Sequence, residues 1–246
     1  MSAATAELRP IVTGLIAFAA AEEETLLASA AADAAADAGP GDERRWAAVP
    51  TVAHNTEFKA QQAERIAAVL AGREPPAFAE IDHRSPAVYR RYAAPAADVV
   101  AAESRQVTAS LIDGLAALAD DDLLDPSRHR WLNGRALWLQ LVVRGFWHPT
   151  GHVAECYLGR GQPGRAVALQ GHALATTRYL GAPDPVVGMA AYSLACAQAV
   201  AGGVEDAAAT LAEAIALNPD VRANADRDPD LEPLRLGGQL TAILAG

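Results

Sequence analysis

A chain of 246 residues, 51% of them hydrophobic, is long enough to bury a full core as one large domain or two modest ones. Its formal charge of −10 and pI near 5.0 repel a phosphate backbone on average, and no basic stripe overrides this, so nucleic acid is excluded as a partner. Aromatic residues make up only 5%, and Ala and Leu prevail over Val and Ile, which argues against a β-sandwich and sets the expected fold class as all-α.

The first helical pattern carries Ile11, Leu15, Phe18 and Leu26 and is expected to stop in DAGPGDE, at Gly39 and Pro40. Its run IVTGLIAFAA has the length of a signal-peptide core, but Glu7 precedes it and EEE follows, so a cytoplasmic protein is expected. No stretch approaches the roughly 18 apolar residues of a membrane span. A second helix opens at VPTVAHNTEF, with Pro50 in its first turn, and runs through Phe58, Ile66 and Leu70 to Gly72. In the stretch from 73 to 95, Pro75, Pro76, Pro86 and Pro95 rule out one continuous helix. It reads as a long functional loop, with Tyr89, Arg90 and Tyr92 at a pocket mouth. The third helix holds Val100, Val107, Leu111, Leu115 and Leu118 and ends at DDDLLDP; the fourth carries Leu137 and Leu141 into GFWHPTGHVAECYLGRG.

In that last stretch His148 and His152 stand four apart, one turn from each other on one helical face. They extend the line of Leu137 and Leu141, while His54 precedes Phe58 by four and shares the core-facing side of the second helix. Three imidazoles facing one interior are the donor set of a metal site. Pro149 leaves two readings open: a kink in a single bent helix, or the first turn of a new helix capped by His148. Glu57 and Glu155, each about one turn from a histidine, are candidates for orienting a ligand or moving a proton; the alternative for both is solvated helix surface. Cys156 and Cys196 are expected as small packed thiols. His83, His129 and His172 have no comparable partners and read as surface or loop residues. Lys59 is the only lysine, which fits a GC-rich bacterial genome.

Beyond Gly161 the pattern shortens. Leu194, Ala195, Gly202, Ala207, Leu211, Ala214 and Pro219 fit the tetratricopeptide (TPR) template over one repeat, and Val153, Ala154, Tyr157, Gly161, Ala166 and Ala173 fit it as a weaker copy. The expected organisation is a helical domain over 1–160 and TPR-like hairpins with a capping tail over 161–246. So short an array should lean on the first domain, its opening helix continuing from the fourth.

With His54 near the start of the second helix and HPTGH on the fourth, residues 1–160 resemble the DinB-like superfamily. The resemblance implies an up-down-down-up four-helix bundle with a divalent metal on His54, His148 and His152. It also implies thiol-dependent isomerase or S-transferase chemistry, or protection against genotoxic metabolites. Zn is the first expectation, with Ni or Fe next, since imidazole suits all three. The expected function is a metal-dependent enzyme that transfers a low-molecular-weight thiol or hydrolyses a reactive electrophile, with Glu57 and Glu155 as catalytic candidates. The alternative is a TPR-type interaction module that docks a protein partner and carries a structural or vestigial metal site. Monomer and homodimer are both open.

Overall fold

The structure, a computed structural model, describes residues 3–30, 46–78 and 85–245; the expected stop at Gly39 and Pro40, and His83, lie outside them. The fold is all-α, with no strand among the described residues. No helix there is long and apolar enough to cross a membrane. The chain divides into two compact units, Met1–Arg160 and Gly161–Gly246.

In the first unit, α1 (Ala3–Ala30), α2 (Ala48–Leu70), α4 (Ala97–Ala117) and a helical run from Leu137 to Gly159 pack around a shared core. The stripe that α1 buries is Leu8, Val12, Leu15, Ile16, Ala19, Leu26 and Leu27, at helical spacing. Leu111 and Leu115 answer from α4, and Leu137, Leu141 and Phe146 from the last run. The Pro-rich stretch is not one loop: Pro86 opens a short α3 (Pro86–Ala93), a first-turn position where its missing N–H costs nothing. The acidic DDDLL likewise forms α5 (Asp120–Leu124).

One polar stripe interrupts this core. Lys59, only 1% exposed, donates to Glu23 Oε2 at 2.6 Å, to Ser104 Oγ at 3.0 Å and to Thr108 Oγ1 at 3.2 Å. Ser104 Oγ donates to the same carboxylate oxygen at 3.0 Å, so one ion pair ties α1, α2 and α4 together.

The run from Leu137 to Gly159 comprises α6 (Leu137–Val142), a π-turn (Val143–Trp147) and α7 (His148–Gly159). Trp147 and His148 are both right-handed helical, so the backbone is continuous and His148 caps no new helix. The N–H of His148 donates to Val143 C=O, five residues back. Pro149 contributes no N–H, and the Thr150 hydroxyl donates to Phe146 C=O at 2.9 Å. Gly145 has no room for a side chain, since a Cβ there would stand 2.7 Å from Ile16 Cγ1 and 3.2 Å from Leu111 Cδ2.

In the second unit, α8 (Pro163–Tyr179), α9 (Asp184–Val200) and α10 (Val204–Leu217) form successive hairpins. Gly181 and Gly202 turn the chain with φ of +68° and +86° just past the ends of α8 and α9, as a C′ glycine does. Gly188 lets α9 approach α10, for a Cβ there would meet Asn218 Cβ at 2.6 Å. Short helices α11 (Arg222–Ala225), α12 (Glu232–Leu236) and α13 (Gln239–Ala245) follow.

The Lys59→Met variant strands the Glu23 carboxylate in the core and should cost about 3–5 kcal/mol in chemical denaturation. The double variant Glu23→Leu/Lys59→Met removes both charges and should recover most of that loss. A Lys59→Met protein as stable as the parent would show that the pair contributes nothing.

Candidate metal centre

His54 sits in the second turn of α2 and is only 1% exposed. Its ring is held among Phe58, Trp46 and Tyr92, with centroids at 4.6, 5.7 and 5.7 Å. Trp46 is fixed in turn, its C=O accepting from the Cys156 thiol at 3.1 Å. Burial pushes that thiol's pKa upward, so Cys156 stays protonated and packed, as expected from its position. Both cysteines are free and buried.

His148 and His152 stand on α7 with ring centroids 4.3 Å apart. Neither lies within the buried face of α7, which is Pro149, Thr150, Val153, Ala154, Cys156 and Tyr157; both are half-buried at its margin. They flank the Leu137 and Leu141 line rather than continue it, but the expectation that their rings face the interior holds, for both turn toward buried His54. A π-turn takes more residues per turn than an α-turn, so it rotates everything beyond it relative to what precedes it. The centre thus has a buried floor at His54 and a partly open side at His148 and His152.

The three rings converge. His148 Nε2 lies 3.2 Å from His54 Nε2, and one ligand nitrogen from each histidine falls within 4.8 Å of the others. Two nitrogens bound tetrahedrally at 2.0–2.1 Å would stand about 3.3 Å apart, so the His54–His148 spacing already suits one ion. His152 Nδ1 donates to Glu155 Oε2 at 2.7 Å, because an ionised carboxylate only accepts. That bond assigns the proton to Nδ1 and leaves the Nε2 lone pair for ligation, the usual carboxylate support of a metal-bound imidazole. The donor set is chemically coherent, and the group could hold a metal ion. No other such group of three or more His, Cys, Asp or Glu occurs among the described residues.

Glu57 is engaged elsewhere on the rim. Its Oε2 accepts from Tyr92 O–H and from Arg91 Nη2, each at 2.6 Å. Burial, and then the bond to Glu57, raise the Tyr92 pKa well above that of an ordinary phenol, so Tyr92 remains a donor. Tyr89 packs on Trp46 at 5.6 Å, and Arg90 is exposed. His129 lies in a loop but is nearly buried, with Nε2 2.9 Å from Asp122 C=O, and His172 is exposed on α8.

Further side chains complete the site. The Asn55 amide donates to Pro149 C=O at 3.4 Å, joining α2 to α7 beside the histidines. Phe58 stacks on the His148 ring at 4.4 Å, and Arg144 lies over its ring at 4.8 Å. Arg65 was legible in principle, since His54, Phe58 and Arg65 follow one another at steps of four and seven along α2. No protein-family model, no curated protein and no solved structure matches the chain.

Replacing Glu155 by Gln should leave the helix intact and weaken metal binding about 10–100-fold in a chelator competition titration. Unchanged affinity would make Glu155 a surface carboxylate. Ligating imidazoles must be neutral, so affinity should be full above the ordinary imidazole range and fall steeply below about pH 6. Flat affinity between about pH 5 and 8 would point to carboxylate ligands instead.

Proposed function

We propose that the chain is a metal-dependent enzyme of the DinB-like kind, in which a divalent ion held by His54, His148 and His152 handles a low-molecular-weight thiol or a reactive electrophile. The observation that carries this reading is the convergence of three imidazoles, one oriented by a carboxylate, at a place with a buried floor and a half-open side. Zn is the ion the neutral nitrogen donors suit first, with Ni or Fe next; when bound, it would lower the pKa of a coordinated water or thiol near neutral pH.

The chain's own residues supply the rest. His54 fixes the floor, caged by Trp46, Phe58 and Tyr92. Glu155 holds the tautomer of His152. Tyr92 keeps its proton on Glu57 and closes the site toward α3. Proton transfer through Glu57 would require Tyr92 or Arg91 to release it first, whereas Glu155 acts through the imidazole it orients. The apolar rings of Phe58 and Trp46 exclude water from one side of the centre, and a small molecule would approach from the partly exposed side of His148 and His152.

Untagged protein, analysed for bound metal and reconstituted with Zn²⁺, tests the reading. With glutathione or L-cysteine and 1-chloro-2,4-dinitrobenzene as probes, thiol consumption should exceed the uncatalysed rate, depend on metal, and fall at least about 100-fold in His54→Ala. Failure to bind metal stoichiometrically would overturn the proposal. Function would then fall to the helical hairpins of 161–246 as an interaction module.

A further inference from the structure

Next to the histidines, two arginines are placed in a way that packing alone does not require. Arg144, in the π-turn, lies over Phe58 at 4.8 Å and over Phe78 at 4.3 Å. Arg65, on α2, lies over Phe78 at 4.2 Å and over Trp131 at 4.0 Å. The result is an alternating column: Phe58, Arg144, Phe78, Arg65, Trp131. Through the shared ring the two guanidiniums lie within about 8.5 Å of each other, close enough to repel in a partly desolvated setting.

A buried cation facing a half-buried one normally comes with an acid between them. The chain has 30 Asp and Glu, yet neither arginine has a carboxylate partner among the described residues. Arg65 is only 4% exposed and spends one donor on Pro76 C=O. The Nε–H of Arg65 and the Nε–H of Arg144 are both buried with no acceptor. Burial lowers the pKa of each arginine, and for Arg65 the charge of Arg144 lowers it further, as expected of cations without a counter-charge among the described residues. Stacking occupies the faces of a guanidinium and leaves its N–H edge, the part that matches a carboxylate or similar oxyanion.

We propose that Arg65 and Arg144 form an anion subsite, and that the molecule handled at the three-histidine centre carries a carboxylate or comparable oxyanion that docks there. Phe58 connects the two places: it stacks on His148 at 4.4 Å and on Arg144 at 4.8 Å, so one small molecule can span them. The link to the histidines rests on the enzymatic reading above; the anion subsite does not.

The test is isothermal titration of the metal-free, full-length chain with succinate and, separately, sulfate in low-salt buffer. One saturable site per chain is expected, with binding at least about tenfold weaker in Arg144→Gln, intermediate in Arg144→Lys and unchanged in Arg105→Gln, an exposed arginine on α4 outside the column. No saturable binding up to about 20 mM, or binding unaffected by Arg144→Gln, overturns the subsite. Should Arg144→Gln fail to fold, protection of Arg144 from phenylglyoxal by succinate, mapped by mass spectrometry on the parent protein, decides the same question, and absence of protection overturns it. On Zn-loaded protein, 3-mercaptopropionate should bind at least about tenfold more tightly than 3-mercaptopropionamide, and Arg144→Gln should erase the difference. Equal affinity of the two thiols in the parent overturns the link to the histidines. A protein that binds succinate but no metal would overturn the enzymatic reading and leave the anion subsite standing.

Discussion

A proline inside a helix removes a donor and presses its ring on the carbonyl four residues back, which for Pro149 is that of Gly145. The helix from Leu137 to Gly159 meets this by widening into a π-turn just ahead of the proline, where the hydrogen-bond ladder skips the step that Pro149 cannot supply. The position of the turn is also set from outside. Gly145 is pressed against Ile16 and Leu111 so closely that no side chain fits, and Phe146 meets Phe18 edge-on at 6.1 Å. The core therefore grips the helix at the π-turn, and α7 leaves it rotated away from the Leu137 and Leu141 line. That rotation brings His148 and His152 to the margin of the core, within reach of both His54 and solvent. A regular helix through the same residues would carry them farther inward.

The same widened turn places Arg144 against Phe58 and Phe78, so the histidine centre and the arginine column share a structural cause. On the other side of the unit, α2 supplies the opposing half of each: His54 and Phe58 to the first, Arg65 to the second. Its next face is also polar, with Asn55 on the π-turned helix and Lys59 on Glu23. A helix so loaded with buried polar groups gains less from the hydrophobic effect than an apolar one, and the partners that its groups do find weigh more in its stability. The Lys59 pair meets that need by linking three helices, which fixes the rotation of α2 and with it the direction of His54.

The sequence carried local order well and long-range pairing poorly. Helix order, the place of His54 on α2, the i, i+4 relation of His148 and His152, and the glycines at helix ends all follow from spacing and backbone freedom, and they could be read directly. The π-turn could not, because a skipped hydrogen bond leaves no periodic signature; the nearest signal was Gly145 four residues before Pro149, the one residue whose carbonyl the proline would strike. The short α3 was hidden by the count of prolines, although Pro86 alone marks a helix start as readily as a break. As the only lysine, Lys59 reads from the sequence as a trace of genome composition, yet it is one of the most buried side chains in the unit. Its role depends on Glu23, Ser104 and Thr108, which lie 36 to 49 residues away in sequence and have no local relation to it. The arginine column depends on Phe78 and Trp131 in the same way.

Electrostatics sets the local site against the chain as a whole. The protein carries a formal charge of −10, and an anion approaching its surface is repelled on average. The proposed histidine centre would depart from this average. Three neutral imidazoles would not cancel the charge of an ion they held, and although Glu155 and Glu57 lie at the centre, no described carboxylate pairs with Arg65 or Arg144. Apolar rings cover the faces of both guanidiniums and one flank of the histidines, so water screens these charges less than it would on an open surface. In the proposed subsite a small anion would exchange water for fixed donors, whereas a neutral analogue of the same shape would gain only the apolar contacts. Selection by charge before any chemistry would then follow from the two arginines, provided they have no internal counter-ion.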